Sequence, residues 1–183
     1  MVRAIEALLN INVPEENQRK ERALNFSKDK GICSSSQCSP NTFDNNVARK
    51  FNCKHPDNVH TETIDDFVYI KDVDDSELMA IVARQPVIGI LRNTGVGFSE
   101  IGQGIYRSPT EPEDVSFHQV LIIGYGFDSK GKPYWIIQNS HGEIWGDGGF
   151  GYVYRRIIGG RGSEFCGIAY PRKRGYPRKK DGA

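Results

Sequence analysis

The sequence predicts an α+β chain of two lobes, helical before residue 86 and β-rich after it, and three observations carry the prediction. Apolar residues in the first part recur at helical spacing. Those in the second part come as short β-branched and aromatic runs parted by Gly-rich turns. The 183 residues suffice for one ordinary domain or for two small lobes, and for nothing larger. Helices concentrated in one half and strands in the other give an α+β arrangement, and a boundary between two such lobes is a common place for a ligand cleft.

Taking the elements in order, Val2, Ile5, Leu8 and Leu9 mark one apolar stripe of a helix over Val2 to Asn12. A second, weakly buried helix is predicted from Pro14, a favourable first helical position, to Lys30. Its anchors are Ala23, Leu24 and Phe26, and Gly31 is its stop. Residues 32–60 are rich in Ser, Asn, Pro and Cys, show no period, and read as loop. Phe67-Val68-Tyr69-Ile70 suits a short strand. Asp74 or Asp75 then caps a helix carrying Leu78, Met79, Ile81 and Val82, which ends before Pro86 because the residue preceding a proline is sterically kept out of helical conformation. Val87–Leu91, Gln119–Gly124, Tyr134–Ile137 and Phe150–Tyr154 are the expected strands of an antiparallel sheet or barrel, with Gly146–Gly149 among its turns. The lobes are then 1–75 and 76–170, followed by a basic tail over 171–183.

A hydrophobic fraction of 38% alongside 20 Gly is the composition of a globular chain. No apolar run approaches the roughly 18 to 20 residues that span a bilayer, since Val120 to Ile123 stops at Gly124. The net charge of +1 conceals an asymmetry: residues 171–183 carry six basic residues against Asp181, or +5, leaving −4 for the rest. A short tail of that composition, with Gly175 and Pro177 in it, is expected to be a solvated end, so neither nucleic acid nor membrane is an expected partner. Met1 to Asn12 is amphipathic and includes Arg3 and Glu6, which leaves no signal-peptide core; translated as written, the chain is expected in the cytosol.

Of the four histidines, only His118 opens an expected strand, Phe117 to Gly126. A second strand, Tyr134 to Gln138, then delivers Asn139. An Asn side-chain oxygen accepts a bond from one imidazole nitrogen and leaves the other free to take a proton from a thiol, the pairing used in Cys-His-Asn acyl transfer.

Several words of the sequence resemble the papain-like cysteine peptidases, with the plant branch nearest. They are His118-Gln119-Val120-Leu121-Ile122-Ile123-Gly124-Tyr125-Gly126, Pro133-Tyr134-Trp135-Ile136-Ile137-Gln138-Asn139-Ser140 and Trp145-Gly146-Asp147-Gly148-Gly149-Phe150. With Gln85-Pro86-Val87, Gly104-Ile105-Tyr106 and Cys166-Gly167-Ile168-Ala169, they keep the family's order over residues 76–169. The resemblance implies a papain-like two-lobe fold and a catalytic imidazole at His118 oriented by Asn139. It places Trp145 in the aromatic wall beside that amide and Ile90, Phe117 and Gln119 in the acyl-side pocket. It implies protein or peptide substrates or protease inhibitors as partners, no cofactor, a monomer, and a vacuolar, lysosomal or secreted setting.

The chain also departs from the family. His141 stands where the family has the Trp that shields the Asn–His hydrogen bond from water, so the pair is expected to be weaker. The family's nucleophile word, Cys-Gly-Ser/Ala-Cys-Trp, and the Gln that donates to the oxyanion are absent, because Val2 to Leu8 resembles the later part of the helix that word begins. The first lobe is therefore expected to be truncated and the chain inactive as written; the alternative is a non-catalytic protein that binds peptides or inhibitors in the residual cleft. Cys53 and Cys166 match family disulfide positions without their expected partners. A bridge among Cys33, Cys38 and Cys53 is open in any pairing. A zinc site from these three with His55 and His60 has poor spacing, and no metal is expected.

Overall fold

The computed structural model describes residues 24–25, 27–29, 31–33, 61–93, 96–102, 104–108, 116–156 and 163–172. The helix expected over Val2–Asn12, most of the cysteine-rich loop and the tail beyond Arg172 lie outside them. The chain divides into two compact units, Met1–Phe67 with Pro171–Ala183, and Val68–Tyr170.

In the first unit, Leu24, Asn25 and residues 27–29 are helical, and Gly31 leaves the helix with φ 74°, a left-handed angle that glycine adopts without a Cβ penalty. Leu24, one of the expected anchors, and Ser27 are buried, while Asn25, Lys28 and Asp29 are exposed. Strands β1 (Ile32–Cys33) and β2 (Thr61–Glu62) pair antiparallel with Ile32 opposite Glu62. A ladder of two residues on each strand has no alternation to read, which is why the sequence shows only loop there.

The second unit is mainly sheet. The elements, in order, are β3 (Asp66–Lys71), α1 (Asp75–Val82), β4 (Val87–Asn93), α2 (Val96–Ser99), β5 (Ile105–Tyr106), β6 (Ser116–Phe127), β7 (Pro133–Gln138), β8 (Phe150–Tyr154) and β9 (Phe165–Arg172). Among the described residues they form an open seven-stranded sheet in the order β3-β9-β4-β6-β7-β8-β5, not a closed barrel. Nor is it wholly antiparallel, since β5 runs parallel to β8. Strand β9 begins at Phe165, takes in the Cys166-Gly167-Ile168-Ala169 word, which had not read as a strand, and runs into Pro171 and Arg172, the first two residues assigned to the tail.

Local chemistry explains the elements that matter for the site. Asp74 caps α1 by accepting from the Glu77 amide at 2.8 Å. Strand β7 alternates strictly, Pro133, Trp135 and Ile137 inward, and the same period carries Asn139, one step past the strand, to the inward side. On β6 the residues His118, Val120 and Ile122 share a face, because their register partners on β4 are Leu91, Gly89 and Val87. The core between this face and α1 is built from Leu78, Leu91, Ile122, Trp135, Val153 and Phe165, each at most 1% exposed. Burying side chains of this size contributes about 1.5–3 kcal/mol apiece. No helix among the described residues is long and apolar enough to cross a membrane.

Candidate active site

Two adjacent strands and one loop build the site. The β6–β7 hairpin turns at Asp128, whose carboxylate accepts from the amides of Lys130 (2.8 Å) and Lys132 (2.7 Å) while Gly131 takes φ 75°. That turn fixes a register in which Leu121 faces Gln138. One step further, Asn139 comes opposite Val120 and His118 becomes its diagonal neighbour, within reach of a side-chain bond.

The bond is made. His118 Nε2 donates to Asn139 Oδ1 at 2.7 Å, and the Ser140 amide donates to the same oxygen at 2.8 Å. A carbonyl oxygen only accepts, so the neutral imidazole carries its proton on Nε2 and keeps the Nδ1 lone pair. Asn139 itself is buried, and its backbone amide is tied to the Gly149 carbonyl at 2.9 Å. Its Nδ2 is enclosed without a hydrogen-bond partner among the described residues.

Around the imidazole stand aromatic rings. The ring of Phe98, on α2, lies 5.4 Å from that of His118, and the ring of His141 lies 4.9 Å from it on the loop after β7. Trp145 contacts Phe98 at 5.0 Å and His141 at 6.3 Å between ring centres, and its indole N–H donates to the Phe98 carbonyl at 3.1 Å. Gly151 lets that indole in: a Cβ there would stand 2.5 Å from the Trp145 ring. Burial of the His118 imidazole pushes its pKa below the ordinary 6.5; the Asn139 hydrogen bond pulls the other way, and His141 pushes it down further.

The structure thus brings together His118, Asn139 and His141, with Trp145 against the rings of both His141 and Phe98. His141 is exposed, so its ring lies beside His118 without sealing the pair from water. Ile90, Phe117 and Gln119 are not brought to the imidazole. Ile90 pairs with Gln119, one step out of phase with the Leu91–His118 pair, and the pleat sends all three to the opposite face. Ile90 is 3% exposed and Phe117 47% exposed. Cys166 is a thiol that donates to the Ile90 carbonyl. The side chains of Cys33, Cys38, Cys53, His55 and His60 lie outside the described residues, and with them the bridges and the zinc grouping weighed above. Sequence reasoning missed Phe98: α2 is a single turn of four residues, too short for a period to show.

The sequence family described as papain family cysteine protease matches residues 16–172. The chain belongs to the papain family. Ananain from Ananas comosus is 33% identical over 122 residues, 67% of this chain and 34% of ananain. A thiol protease of Hemerocallis, SEN102, is 38% identical over 107 residues, 57% of this chain and 28% of that protein. The chain therefore spans about a third of the length of such relatives. Among solved structures, the bromelain protease from Ananas comosus in complex with the E64 inhibitor superposes with a TM-score of 0.67 at 25% identity, covering 91% of this chain and 76% of that one. A recombinant stem bromelain precursor gives 0.66 at 27% identity over 85% of this chain and 49% of that one. The papain-like α+β fold follows from these likenesses.

Proposed function

We propose that His118 and Asn139 are the acid–base half of a cysteine peptidase site, with Trp145 and His141 supporting them from residues 76–170. The observation that carries this reading is the 2.7 Å Nε2–H···Oδ1 bond, which leaves Nδ1 as the basic nitrogen. In peptide hydrolysis of this kind, Nδ1 takes the proton of an attacking thiol and returns it to the nitrogen of the leaving amine. It then takes a proton from the water that cleaves the thioester. The substrates are protein or peptide chains, as befits the family.

The same reading holds these 183 residues inactive on their own. None of Cys33, Cys38, Cys53 or Cys166 stands in a Cys-Gly-Ser/Ala-Cys-Trp word, and Cys166 directs its thiol to a backbone carbonyl. Loss of the nucleophile costs about a millionfold in turnover in a comparable hydrolase. The test is incubation of the purified 183-residue chain with an epoxide inhibitor of cysteine proteases, read by mass spectrometry. No adduct is expected. Stoichiometric labelling of one cysteine, abolished by His118→Ala, overturns the inactive reading, and genomic DNA encoding the missing word in frame before Met1 makes the chain part of an ordinary peptidase.

A further inference from the structure

We propose that His141 is a positioning residue that gates the charge of His118, opposing formation of the His118 imidazolium whenever its own ring carries a proton. This rests on the reading of His118 as the acid–base group and names how that group is regulated. The geometry is the starting point: two imidazoles lie 4.9 Å apart with rings tilted by 43°, one half-buried and hydrogen-bonded, the other exposed to water.

The surroundings leave His141 without competition. Strand β4 presents Leu91 opposite His118, α2 presents Phe98, and the loop after β7 presents Asn139 and His141. Among the described residues, His141 is thus the titratable group against the ring. Burial alone already favours the neutral form of His118, and the Asn139 bond partly offsets it. A second positive charge about 5 Å away adds Coulomb repulsion that the half-buried setting screens only in part.

Imidazoles change charge between about pH 5 and 8, and two that interact release their protons in macroscopic steps that belong to the pair. A proton on the exposed ring of His141 places a positive charge 4.9 Å, between ring centres, from the His118 imidazole. A proton taken up on His118 Nδ1 then meets that charge. The consequence is a brake on the imidazolium in mildly acidic solution, since an ion pair with a thiolate needs that imidazolium. An uncharged residue at 141 releases the brake.

The test is an NMR titration of the His118 ring in the full 183-residue chain, its His141→Gln variant and its His141→Trp variant. In the unaltered chain the His118 midpoint is expected to rise as salt is added, because salt screens the repulsion. In the His141→Gln variant the midpoint is expected about half a pH unit or more above that of the unaltered chain, and in the His141→Trp variant, where the larger ring also adds burial, the rise with added salt is expected to disappear. Coincident titrations in all three proteins overturn the gate. If neither variant folds, a His118 midpoint in the unaltered chain that does not move with salt overturns it. Because the titration reads proton coupling and the epoxide experiment reads the thiol chemistry, failure of one leaves the other standing.

Discussion

The carbonyl oxygen of Asn139 accepts from His118 Nε2 and from the Ser140 amide, and this double acceptance is what sets the tautomer of the imidazole. It also favours the charged ring, against the effect of burial. Replacement Asn139→Ala is therefore expected to lower the His118 midpoint further, read by NMR. Stability is expected to fall by about 1–3 kcal/mol in urea unfolding, since the Ser140 amide and the ring N–H are left without their acceptor. At the same scale stands Arg155, which charge alone assigns to the surface. It is 5% exposed, with its guanidinium 5.0 Å from the Phe127 ring centre and 5.9 Å from that of Trp135. Its contacts include cation–π contacts with rings on neighbouring strands and a bond from Nη1 to the Met79 sulfur, none of them visible in a linear sequence.

Between elements, the hairpin β6–β7 and the loop after it do the positioning. Asn139 follows Ile137 in the inward row of β7, so its placement was legible from a period of two. His118 was legible too, as the first residue of an apolar run. The short pieces were not. The two-residue ladders β1–β2 and β5–β8 and the single turn α2 depend on partners distant in sequence. Gly151 couples β8 to the loop: a Cβ there meets Trp145, whose indole is pinned to the Phe98 carbonyl and cannot give way. Gly151→Ala is expected to cost about 1–3 kcal/mol in urea unfolding and to change the near-ultraviolet circular dichroism of the indole.

For the molecule as a whole, the lowered pKa of His118 links stability to pH. The unfolded chain, with an ordinary imidazole, takes up this proton at higher pH than the folded one does. The stability the group contributes is therefore fully present above about pH 6.5 and is lost as pH falls through the lower folded value. Urea midpoints measured between pH 7 and 5 are expected to fall, and to fall less in His118→Gln. A midpoint that rises on acidification, to an extent that depends on His118, contradicts this.

By itself the sequence determined the α+β class, the papain-family words and a cap for α1 at Asp74 or Asp75, because each rests on spacing or on residue chemistry within short segments, and it pointed to His118 and Asn139 as partners through the ends of two expected strands. Only the tertiary structure decided that the sheet is open and of mixed direction, that β9 takes in the first residues of the basic tail, and that Phe98 stands against the imidazole. It also decided that Ile90, Phe117 and Gln119 lie across the sheet from His118. These depend on which strand lies beside which, and strand pairing is a contact between segments far apart along the chain.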